Sequence, residues 1–100
     1  MLKDFFLGFV KIHILYHASK EPICGVEIRK ELERHGYSLS PGTLYPTLHR
    51  LANDGYLTVE HRVVDGKVRK YYAVTGRGVA ILDDARGKIR ELVDEVLLDR

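Results

Sequence analysis

Residues 40–57 read Ser-Pro-Gly-Thr-Leu-Tyr-Pro-Thr-Leu-His-Arg-Leu-Ala-Asn-Asp-Gly-Tyr-Leu. The stretch opens on Ser40, whose hydroxyl can cap a free N–H of a first helical turn, and on Pro41, which suits the first helical position. Leu44, Leu48 and Leu51 recur at i, i+4 and i+7 and form one apolar face. Gly55 is a natural stop. Pro46 leaves two readings open. Either it distorts the helix, lacking an N–H and crowding the carbonyl of Gly42, or the helix starts at Thr43 and Pro46 falls in its first turn. Both readings carry Gly42, Thr43, Tyr45 and Pro46 outward at the helix start, and the exposed remainder is Thr43, Tyr45, Thr47, His49 and Arg50.

Downstream, residues 57–63 alternate Leu57, Val59 and His61 against Thr58, Glu60 and Arg62, and residues 67–74 contain Val68, Tyr71, Tyr72 and Val74. Between them lies Asp65-Gly66, a strong signal for a two-residue hairpin turn. Thr75 then caps a final helix over about residues 76–98. Its apolar positions Leu82, Ala85, Ile89, Leu92 and Val96 step by three and four, the spacing of a helix-pairing seam, with Val93 beside it. Upstream, a second helix covers about residues 25–35 with Ile28 and Leu32 on its inner face, and residues 36–39 make a short glycine-containing turn into the third. A first helix covers about residues 2–17. Phe5, Phe6, Phe9, Val10, Ile12, Ile14 and Leu15 make it apolar on more than one side, so part of it should face a partner subunit. Residues 19–23 read as a loop. The predicted order is helix, helix, helix, strand, strand, helix: a mainly α winged helix-turn-helix with a small β-hairpin wing. Residues 1–75 form the winged unit, and residues 76–100 form a dimerisation helix continuous with it.

The composition is that of a soluble globular domain, with 45% hydrophobic and 30% charged residues. The longest apolar stretch, residues 5–16, is broken by Lys11 and His13 and is too short to span a bilayer, and no signal peptide pattern opens the chain, so a cytoplasmic protein is expected. The single Cys24 agrees with a reducing compartment. The net charge of +2 is weak evidence for a nucleic-acid partner, but its distribution is informative: +1 over residues 1–39, +2 over 40–72 and −1 over 73–100. The excess coincides with the third helix and the hairpin.

The residue types in that region suit DNA. Hydroxyls of Ser40, Thr43 and Tyr45 beside free N–H groups at a helix start are phosphate partners, and Arg50 could reach a phosphate or a guanine edge. Arg62, Lys67, Arg69 and Lys70 cluster about the hairpin turn, where cations could follow a backbone or simply guard strand edges against aggregation. Tyr71 and Tyr72 point to opposite faces and are better suited to sheet and core packing than to base stacking. His13 and His17, at i and i+4, have metal-ligand spacing. Two ligands are too few, however, and Cys24 or His35 would have to converge on them, so the expectation is surface or interface histidines and no metal or cofactor. The alternating charges of the last helix read as a solvated face. No nucleophile–base arrangement or phosphate-cradling glycine loop is present, which argues against an enzyme.

Gly25-Val26-Glu27-Ile28, the run from Leu39 to Leu51 containing Gly42-Thr43-Leu44-Tyr45-Pro46, Gly55-Tyr56-Leu57, Arg69-Lys70-Tyr71-Tyr72 and Thr75-Gly76-Arg77-Gly78 together resemble the PadR family of transcriptional regulators. The resemblance spans most of the chain, with Val26 standing where the family commonly has tyrosine. It implies a homodimeric winged-helix repressor of the short subtype that binds an inverted-repeat operator in double-stranded DNA. The contact residues expected from the third helix and the hairpin are Ser40, Gly42, Thr43, Tyr45, Pro46, His49, Arg50, Lys67, Arg69 and Lys70. The implied dimer interface draws on Phe5, Phe9, Leu82, Ala85, Ile89, Leu92, Val93 and Val96. The resemblance also implies a small aromatic or hydrophobic effector. With no tryptophan in the chain, stacking on it would fall to Phe or Tyr.

Overall fold

Val10, Ile14, Leu15 and Ala18 follow one side of the first helix, α1 (Leu2–Lys20), and are almost fully buried, whereas Phe5, Phe6 and Phe9 stay exposed on it. The helix is thus apolar on two sides, and the protomer covers one of them. The computed structural model describes residues 2–100, with side chains from Asp4 onward, so Met1 of the expected 1–75 unit lies outside the described residues.

Of the expected loop over residues 19–23 only residues 21–22 are irregular: residues 19–20 end α1, and Ile23 starts a strand, β1 (Ile23–Cys24). Two residues carry no alternation to betray a strand. They are recruited by pairing antiparallel with a later strand, Ile23 opposite Tyr72 and Cys24 opposite Tyr71. The second helix, α2 (Gly25–Arg34), begins directly after it. The Glu27 carboxylate accepts the Cys24 backbone N–H at 3.0 Å, closing the first turn.

The third helix, α3 (Pro41–Asn53), starts at Pro41 and contains Pro46, so the reading that starts it at Thr43 does not hold. Leu44 N–H donates to the Ser40 carbonyl at 2.9 Å, and Pro46, lacking an N–H, leaves the Gly42 carbonyl without its usual helical donor on an exposed face. Two expectations change. The Ser40 hydroxyl does not cap a backbone N–H but points to the Thr43 hydroxyl at 3.4 Å. Thr47 is buried rather than outward, because its hydroxyl donates to the Thr43 carbonyl at 2.8 Å and needs no water.

Strands β2 (Leu57–Val64) and β3 (Lys67–Val74) pair antiparallel across the expected turn, with positive φ at Asp65 and Gly66 as a type I′ hairpin requires. The sheet order is β1-β3-β2. Leu57 and Tyr72 root the hairpin in the core, while Val63 and Val68 near its tip are 73% and 67% exposed, so it projects as a wing. Thr75 caps α4 (Gly76–Leu92) as expected, accepting the Gly78 N–H at 3.0 Å and donating to the Gly55 carbonyl at 2.6 Å. Gly78 is required there: a Cβ would overlap the Tyr56 carbonyl. The final helix is not one regular element to residue 98, because Val93–Leu97 forms a wider π-helical turn in which Leu98 N–H reaches back to the Val93 carbonyl. Leu82, assigned to the seam from its spacing, is 3% exposed within the protomer and belongs to the core with Ile14, Leu48 and Leu51, so little of it remains for a partner. Among the described residues, no helix is long and apolar enough to cross a membrane.

Candidate nucleic-acid interface

Leu44, Thr47, Leu48 and Leu51 seat α3 on the core. With about 3.6 residues per turn, Gly42, Pro46, His49 and Asn53 then lie on the opposite, exposed line of the helix. Asn53 was missing from the sequence-based set, although its helical phase with His49 was readable. Ser40, also exposed, stands just ahead of the first turn.

Tyr45 and Arg50 flank this line on opposite sides. Tyr45, Pro46 and His49 wall a cleft of about 730 Å³ together with Cys24, Gly25 and Val26 at the start of α2 and Val68, Arg69, Lys70 and Tyr72 of β3. The Tyr45 ring sits so near Gly25 that a Cβ there would lie 2.8 Å from Tyr45 Cε1. Burial pushes the Tyr72 phenol above its usual pKa, with Tyr45 adding to the effect. Arg50 instead lines a smaller groove on the far flank with Lys11, Ile12, Asp54, Tyr56 and Ile81. Sequence spacing grouped Arg50 with Tyr45 and His49; the fold separates them.

The wing cations are also divided. The register sets Val59 opposite Tyr72, His61 opposite Lys70 and Val63 opposite Val68. Because successive side chains alternate, Lys70 shares the face of buried Tyr72, turned toward α3. Lys67 and Arg69 alternate onto the other face with Arg62 and Tyr71, although Arg69 also borders the cleft. On that outer face Arg62 is already engaged, with Glu60 Oε2 at 3.2 Å and its guanidinium 4.4 Å from the Tyr71 ring centre. Among the described residues no ion pair within 4.0 Å engages Lys67, Arg69 or Lys70, so their charge remains available to a polyanion. His61 and Val26 also belong to this surface and were not in the sequence-based set. Their signal was available in the strand alternation and in the short distance from Gly25.

Away from this surface, Phe5, Phe9, Leu92 and Val96 are 74%, 41%, 46% and 65% exposed on α1 and on α4 with its terminal turn. Ile89 is similarly open, and Ala85 and Val93 are half-buried.

The sequence profile of the Transcriptional regulator PadR-like family matches residues 14–84. The chain is 49% identical over 96 residues to Transcriptional regulator Rv3488 of Mycobacterium tuberculosis, covering 96% of this chain and 90% of that protein. It is 36% identical over 92 residues to Transcriptional activator GvpE1 of Halobacterium salinarum, covering 88% of this chain but 42% of that one. Among solved structures, a PadR family transcriptional regulator from Eggerthella lenta superposes with a TM-score of 0.83 at 31% identity, covering 96% of this chain and 85% of the other.

Proposed function

The chain belongs to the PadR-like family of transcriptional regulators, and we propose that it acts as a homodimer binding double-stranded DNA at an inverted-repeat operator. In this reading α3 enters the major groove and the wing meets the adjacent backbone. The observation that carries it is the shared surface of Tyr45, Pro46 and His49 on α3, with exposed Gly42 one turn before them, and unpaired Lys70 on the cleft face of the wing. Ser40 and Thr43 add hydroxyls at the helix start, and Arg50, Lys67 and Arg69 extend the contact on either flank. The exposed apolar residues Phe5, Phe9, Ile89, Leu92 and Val96, with Ala85 and Val93 between them, support a partner subunit along α1 and the 76–100 segment.

The protein is further proposed to repress, with release by a small hydrophobic molecule. The walls of Val26, Tyr45, Val68 and Tyr72 suit an aromatic ligand, and an occupant of that cleft would stand between α3 and the duplex. The test is selection of bound sequences from a random DNA pool. Two-fold symmetric sites are expected, with half-sites roughly 34 Å apart or a multiple of that. A pool with no enrichment at low salt would overturn the reading and favour a winged-helix module that binds protein instead.

A further inference from the structure

His13 and His17 stand one turn apart on α1, and the end of α2 brings a third imidazole to them. There Tyr37 N–H donates to the Leu32 carbonyl at 2.8 Å and Gly36 N–H to the Glu33 carbonyl at 3.0 Å, with Gly36 at φ +89°. This closing turn holds His35 over α1. The His13 and His35 rings stack with centroids 4.6 Å apart, and those of His17 and His35 are 6.1 Å apart. One ligand atom from each of the three lies within 4.8 Å of the others. His17 Nε2 is buried without a hydrogen-bond partner among the described residues, and the Glu31 carboxylate stands 3.7 Å away, beyond bonding reach. Such an orphaned buried nitrogen carries a cost unless something else satisfies it.

We infer that His13, His17 and His35 form a binding site for a divalent transition-metal ion of the zinc, cobalt or nickel class. Three imidazoles with an open fourth position suit these borderline ions rather than calcium or magnesium, which favour oxygen. Tetrahedral bonds of about 2.0–2.1 Å place ligand nitrogens about 3.3 Å apart. The ligand atoms, already within 4.8 Å of one another, would have to close by at most about 1.5 Å, and His35 is exposed. Glu31 is the nearest candidate for the fourth position, in exchange for its present partner Arg34 at 2.9 Å. An ion here ties α1 to the residue that leads into the 36–39 turn, and so to the placement of α3. The site also opens into a cavity of about 260 Å³ that reaches Arg86 and Ile89 on α4.

The test is titration of the full chain, after chelator treatment, with Co²⁺ followed by its visible d–d absorption. The expected result is saturation at one Co²⁺ per chain, loss of the band on adding Zn²⁺, and a rise in Tm with Zn²⁺. Loss of outer-shell groups alone weakens metal sites 10–100-fold, so His17→Ala and His35→Gln should each weaken binding by at least about 100-fold. Glu33→Gln, on the same helix but outside the cluster, should titrate like the parent. His35→Gln changes an exposed position and keeps the fold, so it decides the matter even if His17→Ala unfolds. Absence of a saturable band, or a His35→Gln protein that titrates like the parent, overturns the assignment.

Discussion

Replacing Lys70 with glutamine asks which face of the wing meets the duplex. Lys70 is exposed, lies opposite His61, and shares the face of Tyr72 that borders the cleft beside α3. Glutamine keeps a polar side chain of similar length and removes the charge. In a two-fold complex each substitution removes two cations. Each neutralised phosphate contributes about 0.9 to the slope of log affinity against log salt, so the variant's slope should be flatter by about 1.8. Between about 50 and about 200 mM salt, the parent's advantage should then shrink about 12-fold. Fluorescence anisotropy on the selected operator across a salt series reads both slopes. An unchanged slope for Lys70→Gln, beside a flattened one for Lys67→Gln, would refute the reasoning and assign the phosphate contacts to the outer face of the hairpin.

Three further outcomes are expected. Ile89→Glu with Leu92→Glu should yield folded monomers in sedimentation, since the two side chains are 37% and 46% exposed in the protomer; an intact dimer would move the interface elsewhere. Gly78→Ala should cost about 1–3 kcal/mol in urea unfolding, because the new methyl overlaps the Tyr56 carbonyl and approaches Val74 Cγ2 to 2.5 Å; a change within about 0.5 kcal/mol would contradict this packing. The Cys24 backbone N–H holds the Glu27 carboxyl below the usual carboxylate range, so the folded chain releases that proton more readily than the unfolded one. The stability Glu27 adds should be complete above the ordinary glutamate value of about 4.3 and lost as pH falls through the lowered folded value. Urea unfolding should show the parent's lead over Glu27→Ala at neutral pH and little of it in strong acid; a gap independent of pH would show that the charge contributes nothing.

The elements that announce themselves in the sequence are those whose signals are local. Leucines at i, i+4 and i+7, an Asp-Gly turn and a threonine cap need only their neighbours, and they place α3, the hairpin and the start of α4. Features that depend on what an element meets in space were hidden. Ile23 and Cys24 become a strand only because the edge of β3 lies beside them. Leu82 shares the spacing of Ile89 and Leu92, yet α4 crosses α1 at that point and draws it into the core. Thr47 is polar by type and buried by phase, because a backbone carbonyl satisfies its hydroxyl. Within the candidate interface, residue types were legible, but the division of Arg50 from Tyr45 and of Lys70 from Lys67 required knowing where α2 and the root of the wing stand. His35 joins His13 and His17 only through the crossing of two helices.

Cys24 ends β1, donates its N–H to the carboxylate that closes the first turn of α2, and walls the cleft, all while 2% exposed. It is also the only thiol in the chain. A thiol-reactive reagent can reach it only when strand, helix start and cleft separate at that corner. The labelling rate of the unmodified protein is therefore a clock for local opening. Slowing of that clock by DNA would mean that a bound operator braces the junction between wing and helix pair, measured without introducing any probe.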